Sequence, residues 1–194
     1  MPVAPVPPLR LARPDDSPAL AQLINFAAQG LPLYLWKTPG EPGEDPWERG
    51  AKREAERASL GEITVIDKGH GVEASMTAYA LREMRPVTDE VSPILRVLKE
   101  LENEAIGTWY INVLAAFPHA RGKGYGARLI GHAEAVAADE GLRGVSIIVA
   151  DANHGARRLY ERLGYRETSR KPMVKNGWEN PSTDWLLLEK PIAR

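Results

Sequence analysis

The sequence contains no cysteine, which excludes a disulfide framework, a thiolate metal site and a cysteine nucleophile. It has no run of about 18 or more apolar residues, the length a membrane-spanning helix needs. Neither sign of charge is in excess: 25 basic and 26 acidic side chains leave a net charge of -1. Nothing in that balance attracts nucleic acid or an anionic membrane across the whole surface. The four histidines, His70, His119, His132 and His154, make no metal-ligand spacing. The proline-rich start, Met1 to Pro8, lacks the basic-then-apolar order of a signal peptide. It is expected to be a disordered lead-in, and the protein is expected to be cytoplasmic. What remains, residues 9–194, suits a single domain with one sizeable core.

Periodicity and breakers divide this stretch. Leu9 to Ala12 fits a short strand. Asp16 or Ser17 offers an N-cap before Pro18, and Leu20, Leu23, Ile24 and Ala27 follow at helical spacing, so a helix is expected over 18–29. Residues 31–46 are rich in Pro and Gly and read as a loop. Trp47 to Ala58 reads as an exposed, charged helix. Ile63 to Ile66 and Val72 to Ala80 flank a Gly-containing turn and predict a hairpin. Pro93 to Ala105 looks helical, with Ile94, Val97, Leu98 and Leu101 on one face. Strand-type runs at 109–116, 145–150, 165–169 and 185–189 alternate with helices expected over 127–140 and 153–163. This order predicts a mixed sheet covered by helices, an α/β or α+β layered domain.

The chemistry concentrates in Ile111 to Arg128, where a strand runs into Arg121-Gly122-Lys123-Gly124-Tyr125-Gly126 and then a helix. Alternate glycines let the backbone approach a ligand and aim its N–H groups at it. The helix start adds unpaired donors and a positive dipole end. Arg121, Lys123 and Arg128 supply cations, so the segment suits a phosphate or pyrophosphate. The P-loop pattern is absent, and the glycine spacing is not that of the dinucleotide fingerprint.

Arg121-x-x-Gly124-x-Gly126 resembles motif A of the GNAT (GCN5-related N-acetyltransferase) superfamily, Arg/Gln-x-x-Gly-x-Gly/Ala. The preceding Leu114-Ala115-Ala116-Phe117-Pro118 is similar to the family's L-x-V-x-P strand end, with Ala116 at the valine position. Asn153 to Tyr160 resembles its N-x-x-A-x-x-L-Y, and Leu163-Gly164-Tyr165 its L-G-F/Y ending. The resemblance implies a mixed, mostly antiparallel sheet of six to seven strands, splayed between strands four and five and flanked by about four helices. It implies acetyl-CoA as co-substrate, no metal, and transfer of the acetyl group to a primary amine in a ternary complex. The acceptor is a small metabolite, an amino acid or a peptide. The alternative is a non-catalytic acyl-CoA-binding sensor or scaffold. A homodimer is an option because many relatives dimerise.

Residue by residue, Leu114, Ala115 and Ala116 would pair with the pantetheine arm. The amides of Gly122, Lys123, Gly124, Tyr125, Gly126 and Ala127, beside Arg121, would hold the pyrophosphate. Asn153 would contact the cofactor while capping a helix. Tyr160 is the implied general acid for the departing thiolate, a phenol of pKa near ~10 facing a thiol near ~8.5. Some relatives carry a glutamate base on strand five; that position is Ile148 here. Glu73, Tyr79, Tyr110, Asn112 and His119 are the candidate bases, and a water chain is the other option. The family's acceptor region maps to Leu31–Trp47, with Tyr34, Trp36, Trp47, Glu41, Glu44 and Asp45, and to Met173–Asp184, with Trp178.

Overall fold

The computed structural model describes residues 3–37, 43–88 and 91–192. Its element order is β1 (Leu9–Leu11), α1 (Ser17–Ala27), α2 (Leu31–Lys37), α3 (Pro46–Ser59), β2 (Ile63–Asp67), β3 (Val72–Ala80) and α4 (Pro93–Glu104). Then follow β4 (Thr108–Ala116), α5 (Tyr125–Asp139), β5 (Gly144–Ala150), α6 (His154–Arg162), β6 (Arg166–Pro172) and β7 (Asp184–Pro191). Single 3-10 turns at Pro14–Asp16 and Pro118–Ala120 precede α1 and α5. The strands form one seven-stranded sheet in the order β1-β2-β3-β4-β5-β7-β6. The β4–β5 pair is parallel, whereas β1–β2, β2–β3, β5–β7 and β6–β7 are antiparallel. The ladder between β4 and β5 runs from Thr108↔Gly144 to Ile111↔Ile147, and β4 continues to Ala116 beyond its last pair.

Of the described residues, one compact unit forms within Ala4–Ala78 and Val113–Ile130, and a second within Tyr79–Asn112 and Gly131–Arg194. In the first, α1 packs on α3 and β1 on β2. Its core includes Leu20, Leu23, Ile63, Val65 and Leu129. Arg10 on β1 bridges Asp16 and Asp67 at 2.7 and 2.8 Å, tying the entry to α1 to the end of β2. In the second unit, α4 packs on β6 and β5, over a core that includes Ile94, Leu101, Ile111, Val145, Tyr165 and Leu186.

The mixed, mostly antiparallel sheet agrees with expectation, but the described residues contain six α-helices where about four were expected. The segment expected to be a loop from residue 31 begins with α2. Pro32 sits in the first turn, where a missing N–H costs nothing. The Leu33 N–H is met by Asn25 Oδ1 at 3.1 Å. The expectations for residues 38–42, Glu41 included, lie outside the described residues. Helix α3 is less exposed than its charge suggested, because Gly50, Glu54 and Ala58, four apart, face inward. Asp16 stands at the N-cap of α1 without a side-chain cap bond. Its carboxylate takes the Arg10 guanidinium and the Arg13 N–H instead. In the proline-rich lead-in, the carbonyls of Pro7 and Pro8 accept from Arg128 and the Asp67 N–H, at 2.8 and 2.9 Å.

Candidate functional site

In the first unit, β4 leads through the Pro118–Ala120 turn into Arg121–Gly124, all four exposed, and α5 starts at Tyr125, two residues earlier than expected. Gly122 and Gly124 have φ of 75° and 78°, the left-handed region that L side chains avoid. A Cβ at either would meet nothing within 4 Å, so the turn is open and the glycines are required by backbone conformation alone. The first N–H groups of the 15-residue α5 have no partner within their own helix. The Arg121 Nε donates to the Ala116 carbonyl at 3.4 Å, folding that side chain over the strand end. Leu114, Ala115 and Ala116 are half-buried and lie beyond Ile111↔Ile147, the last pair of β4 with β5. Of the three cations, Arg128 is tied to the Pro7 carbonyl. This donor set fits a pyrophosphate: exposed amides, a helix start, and Arg121 with Lys123 beside it.

Glu73 and Lys68 join this loop, and the second was missed in the sequence. The Lys68 ammonium lies 5.2 Å from the Tyr125 ring centroid. The Glu73 carboxylate is held below its ordinary range by the Tyr125 hydroxyl first, then by Lys123, Lys68 and His119 against the opposing effect of burial. Even so, Tyr125 Oη and Glu73 Oε2 are both buried without a hydrogen bond of full geometry. His119, exposed, stacks on Phe117 with ring centroids 5.8 Å apart. Glu73 and His119 therefore stand with the phosphate-type loop.

In the second unit, Asn153 is the N-cap of α6, its Oδ1 accepting the Ala156 N–H at 3.2 Å. The preceding Asp151 accepts from the Thr183 hydroxyl at 2.8 Å and from the N–H groups of Thr183 and Ala152. Burial opposes its charge, but these bonds win and hold the carboxyl down to about 2. Tyr160, on α6, is 4 % exposed, with its ring 6.2 Å from that of Tyr165. Tyr165 in turn donates to Glu134, which also takes Lys190 at 2.8 Å. Burial pushes the Tyr160 phenol well above its ordinary range. The proton is thus securely held, and its donation to a thiolate is harder than from an exposed phenol.

The other base candidates fall in one buried cluster of this unit. Tyr110 is 3 % exposed and its ring meets Tyr79 edge-on at 5.6 Å. Burial first, then the Glu102 charge, pushes the phenol far up. Glu102 was not singled out in the sequence, although it follows Leu101 and stands four residues after Leu98, at the edge of the apolar face of α4. Ile148 is half-buried between buried neighbours. Among the described residues no group of His, Asp and Glu is arranged to hold a metal ion.

Of the aromatics of the acceptor segments, Trp36 and Trp178 are buried, Tyr34 is half-buried and Trp47 is exposed. Trp36 is buried and lies edge-on to Trp47 at 5.9 Å. Trp178 stacks on Trp185 at 6.1 Å, both buried. Glu44 pairs with Arg49 and Lys52, and Asp45 caps α3 by accepting the Trp47 N–H. The acidic charge there is used in capping and ion pairs.

Residues 90–165 match the model of the Acetyltransferase (GNAT) family, the segment that carries both motifs. No curated protein matches the sequence. The fold is similar to the N-acetyltransferase from Staphylococcus aureus Mu50, at 16% identity and TM-score 0.64, covering 94% of this chain and 99% of that one. It is similar to the ribosomal-protein-S18-alanine N-acetyltransferase from Escherichia coli, at 15% identity and TM-score 0.59, covering 96% and 94%. It is also similar to Ard1 from Thermoplasma volcanium, at 14% identity and TM-score 0.58, covering 96% and 97%. At these identities the likeness establishes the GNAT fold, and no helix among the described residues is long and apolar enough to cross a membrane.

Proposed function

We propose that this GNAT-fold protein, one domain over 9–194, is an acetyl-CoA-dependent N-acetyltransferase acting on a primary amine of a metabolite, amino acid or peptide. The observation that carries the reading is the open, glycine-built turn at the start of α5, within the segment that matches the family. Acetyl-CoA supplies the activated thioester. The amides of Gly122 to Ala127, with Arg121 and Lys123, bind its pyrophosphate, and the backbone of Leu114 to Ala116 aligns its pantetheine arm. An N–H of that same strand end donates to the thioester oxygen, where negative charge grows during attack. Asn153 orients the cofactor from the start of α6, and Tyr160 gives its proton to the departing sulfur. A neutral amine attacks directly, with no covalent enzyme intermediate.

Calorimetric titration with acetyl-CoA, for the wild type and for Arg121→Ala/Gly124→Ala, tests the cofactor site. Saturable binding that the double variant loses is expected. A wild type that binds no acetyl-CoA contradicts the reading.

A further inference from the structure

Within the first compact unit, the proline-rich lead-in and the β2–β3 turn bring two cations to the start of α5. Asp67 closes that turn. Its carboxylate accepts the Gly69 and Gly71 N–H groups at 2.7 and 3.2 Å and pairs with Arg10 at 2.8 Å. The next residue, Lys68, places its ammonium 5.2 Å from the Tyr125 ring centroid. Tyr125 opens α5 and Arg128 stands three residues on, so the two share a face of the helix. The Pro7 carbonyl accepts from Arg128 at 2.8 Å, and the adjoining Pro8 carbonyl accepts the Asp67 N–H at 2.9 Å. The Pro7–Pro8 pair thus spans from Arg128 to the residue before Lys68.

Neither cation meets an anion in these contacts: Lys68 lies against a ring and Arg128 against a neutral carbonyl. Arg128 works against the Lys68 charge, as a like charge does, and Glu73 works for it. The bond to Pro7 takes one guanidinium N–H and leaves the rest of the fork. The Tyr125 hydroxyl, in a residue only 6 % exposed, is buried without a hydrogen bond of full geometry. The face therefore holds an unmet donor besides its two cations.

We propose that Lys68 and Arg128 form a phosphomonoester subsite, which takes the ribose 3′-phosphate of acetyl-CoA and makes the protein prefer the 3′-phosphorylated cofactor. The subsite rests on the acetyl-CoA reading of the glycine-built turn. That turn, with Arg121 and Lys123, is matched to the pyrophosphate. The 3′-phosphate is the cofactor's one further phosphate, set off from the pyrophosphate by the ribose. The Arg128 N–H donates to the Gly124 carbonyl at 3.1 Å, so Arg128 lies one turn behind the glycines, about 6 Å along the axis. A phosphate monoester carries close to two negative charges near neutral pH. A guanidinium fork and an ammonium answer it in charge and in donors, and its arrival relieves the repulsion between them.

Calorimetry with acetyl-CoA and with acetyl-dephospho-CoA, which lacks only the 3′-phosphate, tests the subsite. Wild type should bind acetyl-CoA about tenfold more tightly than the dephospho form. Lys68→Gln and Arg128→Gln should each weaken acetyl-CoA binding while leaving the dephospho affinity and Tm near wild type. The preference then shrinks in either variant and vanishes in the double variant, whereas Lys68→Arg keeps it. A wild type indifferent to the 3′-phosphate overturns the subsite. So do folded variants that weaken both thioesters equally, which would make the two cations pyrophosphate ligands instead. A wild type that binds neither thioester contradicts the acetyl-CoA reading itself, and the subsite with it.

Discussion

The Asn153 Oδ1 accepts the Ala156 N–H at 3.2 Å, closing the first turn of α6. That bond accounts for the residue structurally, and a cofactor contact would be additional. Asn153→Ala should cost about 1 kcal/mol of stability, the usual loss of a cap. Asn153→Asp keeps the cap and should melt near wild type. If the amide also binds acetyl-CoA, Asn153→Asp weakens that binding in calorimetry with its Tm held. Undiminished affinity in both variants would confine Asn153 to capping.

At Gly124, φ is 78° and a Cβ would meet nothing within 4 Å. Gly124→Ala should therefore lose about 1–2 kcal/mol from the left-handed backbone alone, or let the turn relax. In either case its amides are displaced, and acetyl-CoA affinity should fall well beyond the stability change. Paired melts and titrations check this.

Packing of α2 on α3 rests on a glycine of a different kind. A Cβ at Gly50 would stand 2.5 Å from Trp36 Cζ3 and 2.6 Å from Cη2, inside any real contact. Gly50→Ala should destabilise by about 1–3 kcal/mol, as overpacking does. Denaturant unfolding measures it, and a Trp36→Leu background should relieve it.

Asp151 sets an acid limit. Its pKa in the folded protein, about 2, lies below the ordinary 3.8. A depressed carboxyl contributes stability that is fully present above the ordinary value and lost as pH falls toward the folded one. Asp151→Asn should thus melt lower than wild type at about pH 7, and the difference should shrink as pH falls through about 4 to 2. A difference that persists unchanged at the acid end would show that charge is not the cause.

Tyr160→Phe should lower kcat by about 100-fold or more with little change in acetyl-CoA affinity, the signature of a lost general acid. Because burial pushes the phenol up, the alkaline fall in kcat for the wild type should lie above the ordinary tyrosine range, or be absent below it.

Much of the fold was legible because its strong signals are local. The Gly122 and Gly124 turn, the β-branched run of β5 and the Asn153 start of α6 each announce themselves over a few residues. Helix α2 was hidden because Pro and Gly read as breakers, whereas Pro32 falls in a first turn and Asn25, eight positions before Leu33, caps from outside the segment. The buried face of α3 was hidden because Gly50 and Ala58 carry little apolar surface and Glu54 is charged. For the candidate site, the motif residues could be read in order, but the company of Tyr110 could not. Glu102, whose charge raises the Tyr110 phenol, is buried in the structure, and a glutamate in a charged helix carries no sign of that. The same holds for Lys68 against Tyr125, a contact between a hairpin turn and a helix start far apart in sequence.

The most direct test of the account is mass spectrometry of a primary-amine panel incubated with acetyl-CoA and the purified protein. The account predicts that at least one amine gains a single acetyl group, at a rate that Tyr160→Phe and Arg121→Ala/Gly124→Ala lower. Bound acetyl-CoA with every amine unmodified would contradict catalysis and leave the protein an acyl-CoA-binding module.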